Sequence, residues 1–185
     1  MNLIQRIVRQ SQKEYSASAR LLIMACGSTI FVFGIPAFLF WLSKAGGDRW
    51  RFSAPAWASS IGLVVTAAGL FLALWTAWKQ FRFARGTPIP IMATKLLLME
   101  KPYSFCRNPM ALGTILAYFG VSFLAASYAS MLCVSLFTIF LAAYIKLVEE
   151  KEMALRFGDE YLQYKRNTPF LVPRFLIFWK KYGVS

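Results

Sequence analysis

The sequence predicts an all-α integral-membrane protein with about four transmembrane helices, the last two forming a helical hairpin. Three observations predict it. The 185 residues are 58% hydrophobic and only 16% charged, whereas a soluble domain is nearer half apolar and a quarter charged. The apolar excess is concentrated in long runs, the mark of membrane segments rather than of a rich soluble core. The basic residues behind the net charge of +13 flank those runs, where insertion topology and anionic headgroups account for them. The same charge on a soluble chain would suggest nucleic acid. Here its placement excludes that class and points to the bilayer as partner.

Residues 1–20 carry Arg6, Arg9, Lys13 and Arg20, with Leu3, Ile4, Ile7 and Val8 on one helical face. This is the pattern of a short interfacial helix. The apolar run after it is too long for a cleaved signal and has no small-residue cleavage site behind it. The first span is 21–43, uncharged, with Pro36 placed to kink it. The loop 44–56 is rich in Gly, Ser and Arg, and Trp50 and Trp57 suit the interface. The second span is 57–78, in which Gly62, Ala67, Ala68 and Gly69 allow close helix packing.

Residues 79–109 are polar and basic, with Lys79, Arg82, Arg85, Lys95, Lys101 and Arg107 against Glu100. Pro88 and Pro90 bar a helix there. Pro109 suits the first turn of a new helix and Asn108 its N-cap. From Met110 the chain is apolar as far as Lys146, too long for one crossing of a hydrocarbon core of about 30 Å. Ser127, Tyr128 and Ser130 place a tight turn near the middle, so two helices, 110–126 and 128–147, form the hairpin. A helix over 148–166 then leaves the membrane. Residues 168–185, with Phe170, Phe175, Phe178 and Trp179 beside Arg174, Lys180 and Lys181, suit an interfacial tail. Residues 1–185 read as a single domain without internal repeat. The positive-inside rule puts both termini and the 79–109 loop in the cytoplasm, with Lys44, Arg49 and Arg51 as the opposing signal.

The chain has three cysteines and no histidine. No metal-ligand spacing occurs, so no metal site is expected. Any general base must come from Glu, Asp, Tyr, Lys or Cys. Glu149 and Glu150 end the fourth span. Carboxylates at a membrane boundary need cationic or hydrogen-bonding partners. Adjacent helical residues point about 100° apart, so one can face a pocket while the other faces solvent or a basic group. Pairing with Lys146, Lys151 or Arg156 at a helix end would satisfy them equally. Arg107-Asn108-Pro109 reads either as a basic flank and helix start or as a grip on a carboxylate or phosphate, made by Arg107 and the helix N-terminus. Tyr161 and Tyr164 share a helical face after Phe157-Gly158, the spacing of aromatic packing at an interface.

Taken together, Lys101-Pro-Tyr-Ser-Phe-Cys-Arg-Asn-Pro-Met-Ala-Leu-Gly113, Glu149-Glu150 and Phe157-Gly-Asp-Glu-Tyr-Leu-Gln-Tyr164 resemble the isoprenylcysteine carboxyl methyltransferase and phospholipid methyltransferase superfamily. The resemblance covers about residues 86–173 and extends to the order and spacing of the blocks. It implies an integral-membrane enzyme that uses S-adenosylmethionine in a cytoplasmic pocket. It also implies cofactor contacts at Tyr103, Asn108, Pro109, Met110 and Ala111, at Lys95, Leu96, Leu97 and Leu98 along the approach, and at Glu149 and Glu150. The chain departs from the family pattern at Lys101, where Gly is common, and at Ala111, where a Tyr often follows the Met. Asn108 stands where His is frequent. Ile145 stands where the prenylcysteine enzymes carry a substrate-side Arg, which an Ile cannot replace in holding a substrate carboxylate.

These departures favour the phospholipid branch or another lipid acceptor. Expected is S-adenosylmethionine-dependent methyl transfer to a membrane-embedded lipid-like acceptor, with Glu149, Arg107 and Tyr103 as the catalytic candidates. If the acceptor is an amine, Glu149, Glu150 or Tyr103 must take its proton. Carboxyl methylation of a prenylated or lipidated cysteine is one rival, and a non-catalytic four-span scaffold subunit is the other.

Overall fold

The computed structural model describes residues 17–53, 55–83 and 96–173. Most of the interfacial segment expected over 1–20, the Pro88–Pro90 turn, Lys95 and the tail beyond 173 lie outside these residues. The described residues fold as helices, with no strand among them beyond one isolated bridge between Arg51 and Ser127.

Helix α1 (Ala17–Thr29) runs through a wide turn at Ile30–Gly34 into α2 (Ile35–Ala45). At that turn the Ile35 N–H donates to the Ile30 carbonyl, five residues back. Pro36, which has no N–H to give, comes directly after, so the expected irregularity is a π-turn placed before the proline. The Tyr118 hydroxyl donates to the Phe31 carbonyl at 3.0 Å, a bond across helices that ties this loosened turn to the bundle.

Helix α3 (Ala56–Phe83) and helix α4 (Pro109–Leu124) form the closest pair. The expectation of close packing through small residues on the second span holds at Gly62 and Gly69, which meet α4, whereas Ala67 and Ala68 are exposed. A Cβ placed on Gly113 would lie 2.6 Å from the Ala73 backbone nitrogen and 2.7 Å from the Gly69 carbonyl oxygen, so the two backbones touch. In lipid such contact replaces the hydrophobic drive as the source of association. Gly113→Ala is expected to force α3 and α4 apart and to cost about 1–3 kcal/mol. A lowered unfolding midpoint in detergent, with wild-type helix content by circular dichroism at low temperature, is the check. An unchanged midpoint refutes it.

Of the four expected spans, Ala25–Ala45, Trp57–Phe83 and the helix beginning at Tyr128 are long and apolar enough to cross a membrane. The third is shorter. Helix α4 has 16 residues, about 24 Å at 1.5 Å per residue, less than the hydrocarbon thickness of about 30 Å. It ends early because Ala126 takes a positive φ of 47° and Ser127 caps the next helix, its side chain accepting from the Ser130 N–H at 3.2 Å. Helix α4 is also the most enclosed element. Ala117, Tyr118 and Val121 join Leu39 of α2 and Val134 of α5 (Tyr128–Tyr144) in the core. The Ser130 hydroxyl donates to the Leu39 carbonyl at 2.8 Å. Phe71 and Phe140, 68% and 73% exposed, lie on the outside, where acyl chains are the apolar solvent.

Helix α5 does not stop at the edge of the apolar stretch. It continues through a second π-turn, Ile145–Glu149, into α6 (Glu150–Asn167). Here the Glu150 N–H donates to the Ile145 carbonyl. Gly158 interrupts α6 with φ 53° and ψ −132°, backbone angles that only glycine adopts without strain. The bend redirects the second half of α6 so that Tyr164 returns to the loop before α4, its hydroxyl donating to the Tyr103 carbonyl at 2.8 Å.

Candidate active site

At the end of the bundle where α3 finishes, α4 begins and α5 passes into α6, a cavity of about 360 Å³ opens. Its size is that of a small-molecule site. Leu97, Leu98 and Tyr103 come to it from the loop, and Asn108, Pro109, Met110 and Ala111 from the start of α4. Glu149 and Glu150 close it from the π-turn. With Arg107, ten of the candidate site residues named from the sequence thus share one wall system. Lys95 lies outside the described residues. Leu96 is 58% exposed and forms no part of the wall.

The π-turn explains how adjacent glutamates acquire different surroundings. One extra residue in the turn rotates the start of α6 relative to the face of α5. Glu150 is buried and paired twice, with the Arg107 guanidinium at 2.8 Å and the Lys165 ammonium at 2.6 Å. Burial by itself would raise its pKa. The hydrogen bonds from Lys165 and Arg107 outweigh that and hold the carboxyl below its usual range. Of the basic partners named from the sequence, none is the one observed.

Glu149 lies in the cavity wall, after the span read from the sequence over 128–147. Desolvation by burial, then the nearby charge of Glu152, push its carboxyl up to about 7. Glu152 is itself tied to Arg156 at 3.1 Å. The site therefore holds one carboxyl that titrates near neutrality beside one fixed as the anion.

Arg107 is not a free anion grip. Its guanidinium takes Glu150, donates to the Lys165 carbonyl at 2.7 Å and also bonds the Thr168 carbonyl. Its backbone N–H donates to the Pro169 carbonyl at 2.8 Å. Carbonyls at a helix C-terminus are unsatisfied acceptors, and this arginine serves two of them together with the carboxylate above. Asn108 holds the N-cap position, and the Leu112 N–H donates to its carbonyl at 3.0 Å. Its side chain does not cap the helix as expected. The Asn108 amide donates instead to the Phe170 carbonyl at 3.0 Å. The start of α4 is thereby left without a side-chain cap, with Met110 and Ala111 on the cavity. Arg107 and Asn108 together strap residues 168–170 against the loop.

Tyr161 and Tyr164, expected to pack at an interface, are 4% and 7% exposed and line the cavity. Burial pushes the Tyr161 phenol up to about 12 and raises Tyr164 further. Cys106 is buried with its thiol pushed up to about 11, chiefly by burial, which leaves it unreactive near neutral pH. Ile145 lines the cavity at 3% exposure, so the apolar side chain faces the site where an arginine would have faced it. Lys146 lies outside the cavity, its ammonium 4.9 Å from the centre of the Phe170 ring.

Several wall residues had no signal in the sequence. Phe31, from the π-turn of the first span, and Phe137 and Leu141, from α5, form an apolar side. Gln80, near the end of α3, lines the cavity with its side-chain oxygen buried and unpartnered. The only available clue was a lone amide in an otherwise aromatic and basic helix end. Glu152 and Arg156 come three and seven residues after Glu149, a helical-face spacing that could have been read.

The sequence model of the phospholipid methyltransferase family matches residues 57–160, from the start of α3 into α6. The chain belongs to the phospholipid methyltransferase family. Its apolar helices make it an integral-membrane member. Two relatives from Bradyrhizobium diazoefficiens are similar to this family member. Methanethiol S-methyltransferase 1 is 37% identical over 71 residues, 38% of this chain and 24% of the relative. Methanethiol S-methyltransferase 2 is 28% identical over 183 aligned residues, 84% of this chain and 63% of the relative. The chain spans less than two thirds of the length of either. No solved structure matches this phospholipid methyltransferase family member.

Proposed function

We propose that this protein transfers the methyl group of S-adenosylmethionine to an apolar acceptor that arrives from the bilayer. The observation that carries the reading is the cavity itself, where an ionisable Glu149, an uncapped helix start and unpartnered polar atoms on Gln80 and Tyr103 meet an apolar wall. The residues fit such a cofactor. The N-terminus of α4 suits its carboxylate, Glu149 suits its ammonium, sulfonium or ribose hydroxyls, and Leu97, Leu98 and Met110 suit its apolar faces.

Bound there, the cofactor would supply an already activated methyl group on a sulfonium, so that the acceptor lone pair forms the new bond as the carbon–sulfur bond breaks. The chain's own part is to align, to exclude water and to manage one proton. Phe31, Phe137 and Leu141 come from membrane helices and would guide the acceptor in. Glu149, with its pKa near 7, is suited to take the proton from a thiol or amine. Tyr103 is not, because burial holds its phenol protonated. Arg107 acts here as a positioning residue for Glu150 and the 168–170 strap.

The acceptor class is a proton-bearing, lipid-soluble nucleophile. The family description favours a phospholipid amine, and the names of the two relatives favour a small thiol. Carboxylate acceptors fit less well, since Arg107 is committed to Glu150 and Ile145 faces the cavity. Sidedness rests on the positive-inside reading, with the cavity opening to the cytoplasm.

Calorimetric titration of the purified protein in detergent and in nanodiscs with S-adenosylmethionine and S-adenosylhomocysteine tests the reading. Transfer of labelled methyl to phosphatidylethanolamine, to alkanethiols and to a prenylcysteine identifies the acceptor. Saturable binding of both cofactors with label in a thioether or N-methyl product is expected. A fully helical protein that binds neither in nanodiscs overturns the enzyme reading and leaves a membrane scaffold.

A further inference from the structure

Among the residues of the cavity wall, three buried polar atoms stand without hydrogen-bond partners, the Gln80 side-chain carbonyl oxygen, the Tyr103 hydroxyl and Arg107 Nε, and the first two belong to neutral groups. The Gln80 and Tyr103 side chains lie within hydrogen-bonding range, so that Gln80 opposes the rise of the phenol's pKa, but the Gln80 carbonyl oxygen accepts no bond. Buried polar atoms are nearly always partnered, because an unmet donor or acceptor out of water forfeits its solvation. Two such atoms side by side in one cavity mark a place where a ligand completes the network. One comes from the spanning helix α3 and the other from the loop before α4, so neither is a by-product of a single strained turn.

The chemistry of the pair specifies what it takes. An amide oxygen accepts, and a phenol kept protonated by its burial donates. Both groups are neutral. A buried neutral pair is matched by a neutral ligand edge that offers one donor next to one acceptor. The charged portions of the cofactor have their own complements in Glu149 and the α4 N-terminus. Its adenine has the required edge, an exocyclic amine beside an unprotonated ring nitrogen, and the apolar side chains of Leu97 and Leu98 line the same cavity. We propose that Gln80 and Tyr103 form the adenine-reading pair of this site, with Gln80 Oε1 accepting from the exocyclic amine and Tyr103 Oη donating to the adjacent ring nitrogen. This inference rests on the cofactor reading given above.

The test is binding rather than turnover. Full-length protein in nanodiscs is titrated with S-adenosylhomocysteine and with its 6-deamino analogue, in which hydrogen replaces the exocyclic amine. Wild type, Gln80→Leu and Tyr103→Phe are compared, with circular dichroism and unfolding midpoints confirming that each is folded. Wild type is expected to bind the analogue roughly tenfold or more weakly than the parent, since a buried partner is left unmatched. Gln80→Leu is expected to lose a similar factor towards the parent and nothing further towards the analogue. The wild-type comparison needs no substitution, so it stands even if a variant misfolds. Equal wild-type affinity for the two ligands, or losses from Gln80→Leu and from deamination that multiply independently, would overturn the pair while leaving the cofactor reading intact. No binding of either ligand by folded wild type would overturn both.

Discussion

Arg107→Met is expected to lower stability by about 3–5 kcal/mol, the loss typical when one partner of a buried ion pair is removed. The arginine is 12% exposed and Glu150 8%. Without the guanidinium, Glu150 retains only Lys165, whose side chain is 41% exposed, and the carbonyls of Lys165 and Thr168 lose their donor. Arg107→Lys is expected to recover little, because one ammonium cannot span a carboxylate and two carbonyls in a fixed plane. Unfolding midpoints and limited proteolysis of the segment after α6 are the measurements, and wild-type values in both would refute the role. The pH dependence adds a second check. Glu150 has a lowered pKa in the folded chain, so its contribution is present above the unfolded carboxyl value of about 4.3 and is lost as pH falls through the lower folded value. Wild type should lose this term in acid, and Arg107→Met should lose a smaller one, because Lys165 still pairs with Glu150.

Glu149→Gln is expected to weaken S-adenosylmethionine binding by roughly tenfold or more, and S-adenosylhomocysteine binding by less, because only the former carries the sulfonium charge. The linkage runs opposite to that of Glu150. Burial and Glu152 raise the Glu149 pKa from 4.5 to about 7, so the folded chain holds a proton that the unfolded chain has released. Its contribution to stability is full below the unfolded value and is lost as pH rises towards about 7, a change on the order of 3 kcal/mol at most. Gln cannot ionise, so the variant should be flat over that window and more stable than wild type above it. A cationic ligand favours the ionised carboxylate, so wild-type affinity for S-adenosylmethionine should rise with pH to a plateau near 7 while the variant shows no such rise. A wild-type affinity that is constant across this window would remove Glu149 from the charge of the site.

The sequence made much of the site legible because its parts lie in compact blocks. Tyr103 and Asn108 to Ala111 sit within nine residues, and Glu149-Glu150 marks the only acidic step at the end of an apolar run. Such local signals survive without any knowledge of packing. The roles within the blocks were less legible. Arg107 looked like a candidate anion grip because its partners, Glu150, Lys165 and Thr168, lie 43 to 61 positions away. Asn108 looked like an ordinary cap for the same reason. Phe31 gave no signal and Gln80 only that of a lone amide, since a single residue on a long apolar helix acquires meaning only from what packs beside it.

By itself the sequence determined an all-α membrane architecture, the hairpin around Ser127, close packing through the glycines of the second span and the family. These depend on residue spacing along the chain, on the length an apolar run must have to cross lipid, and on backbones that only glycine allows to touch. The tertiary structure decided that α4 is shorter than the other three apolar helices, that two π-turns shift the helix faces at Phe31 and Glu149, and that adjacent glutamates have pKa values shifted in opposite directions. Those outcomes depend on burial and on partners distant in sequence. Desolvation and Coulomb energy are set by the three-dimensional surroundings of a charge, and identical neighbours in sequence can have opposite surroundings in space.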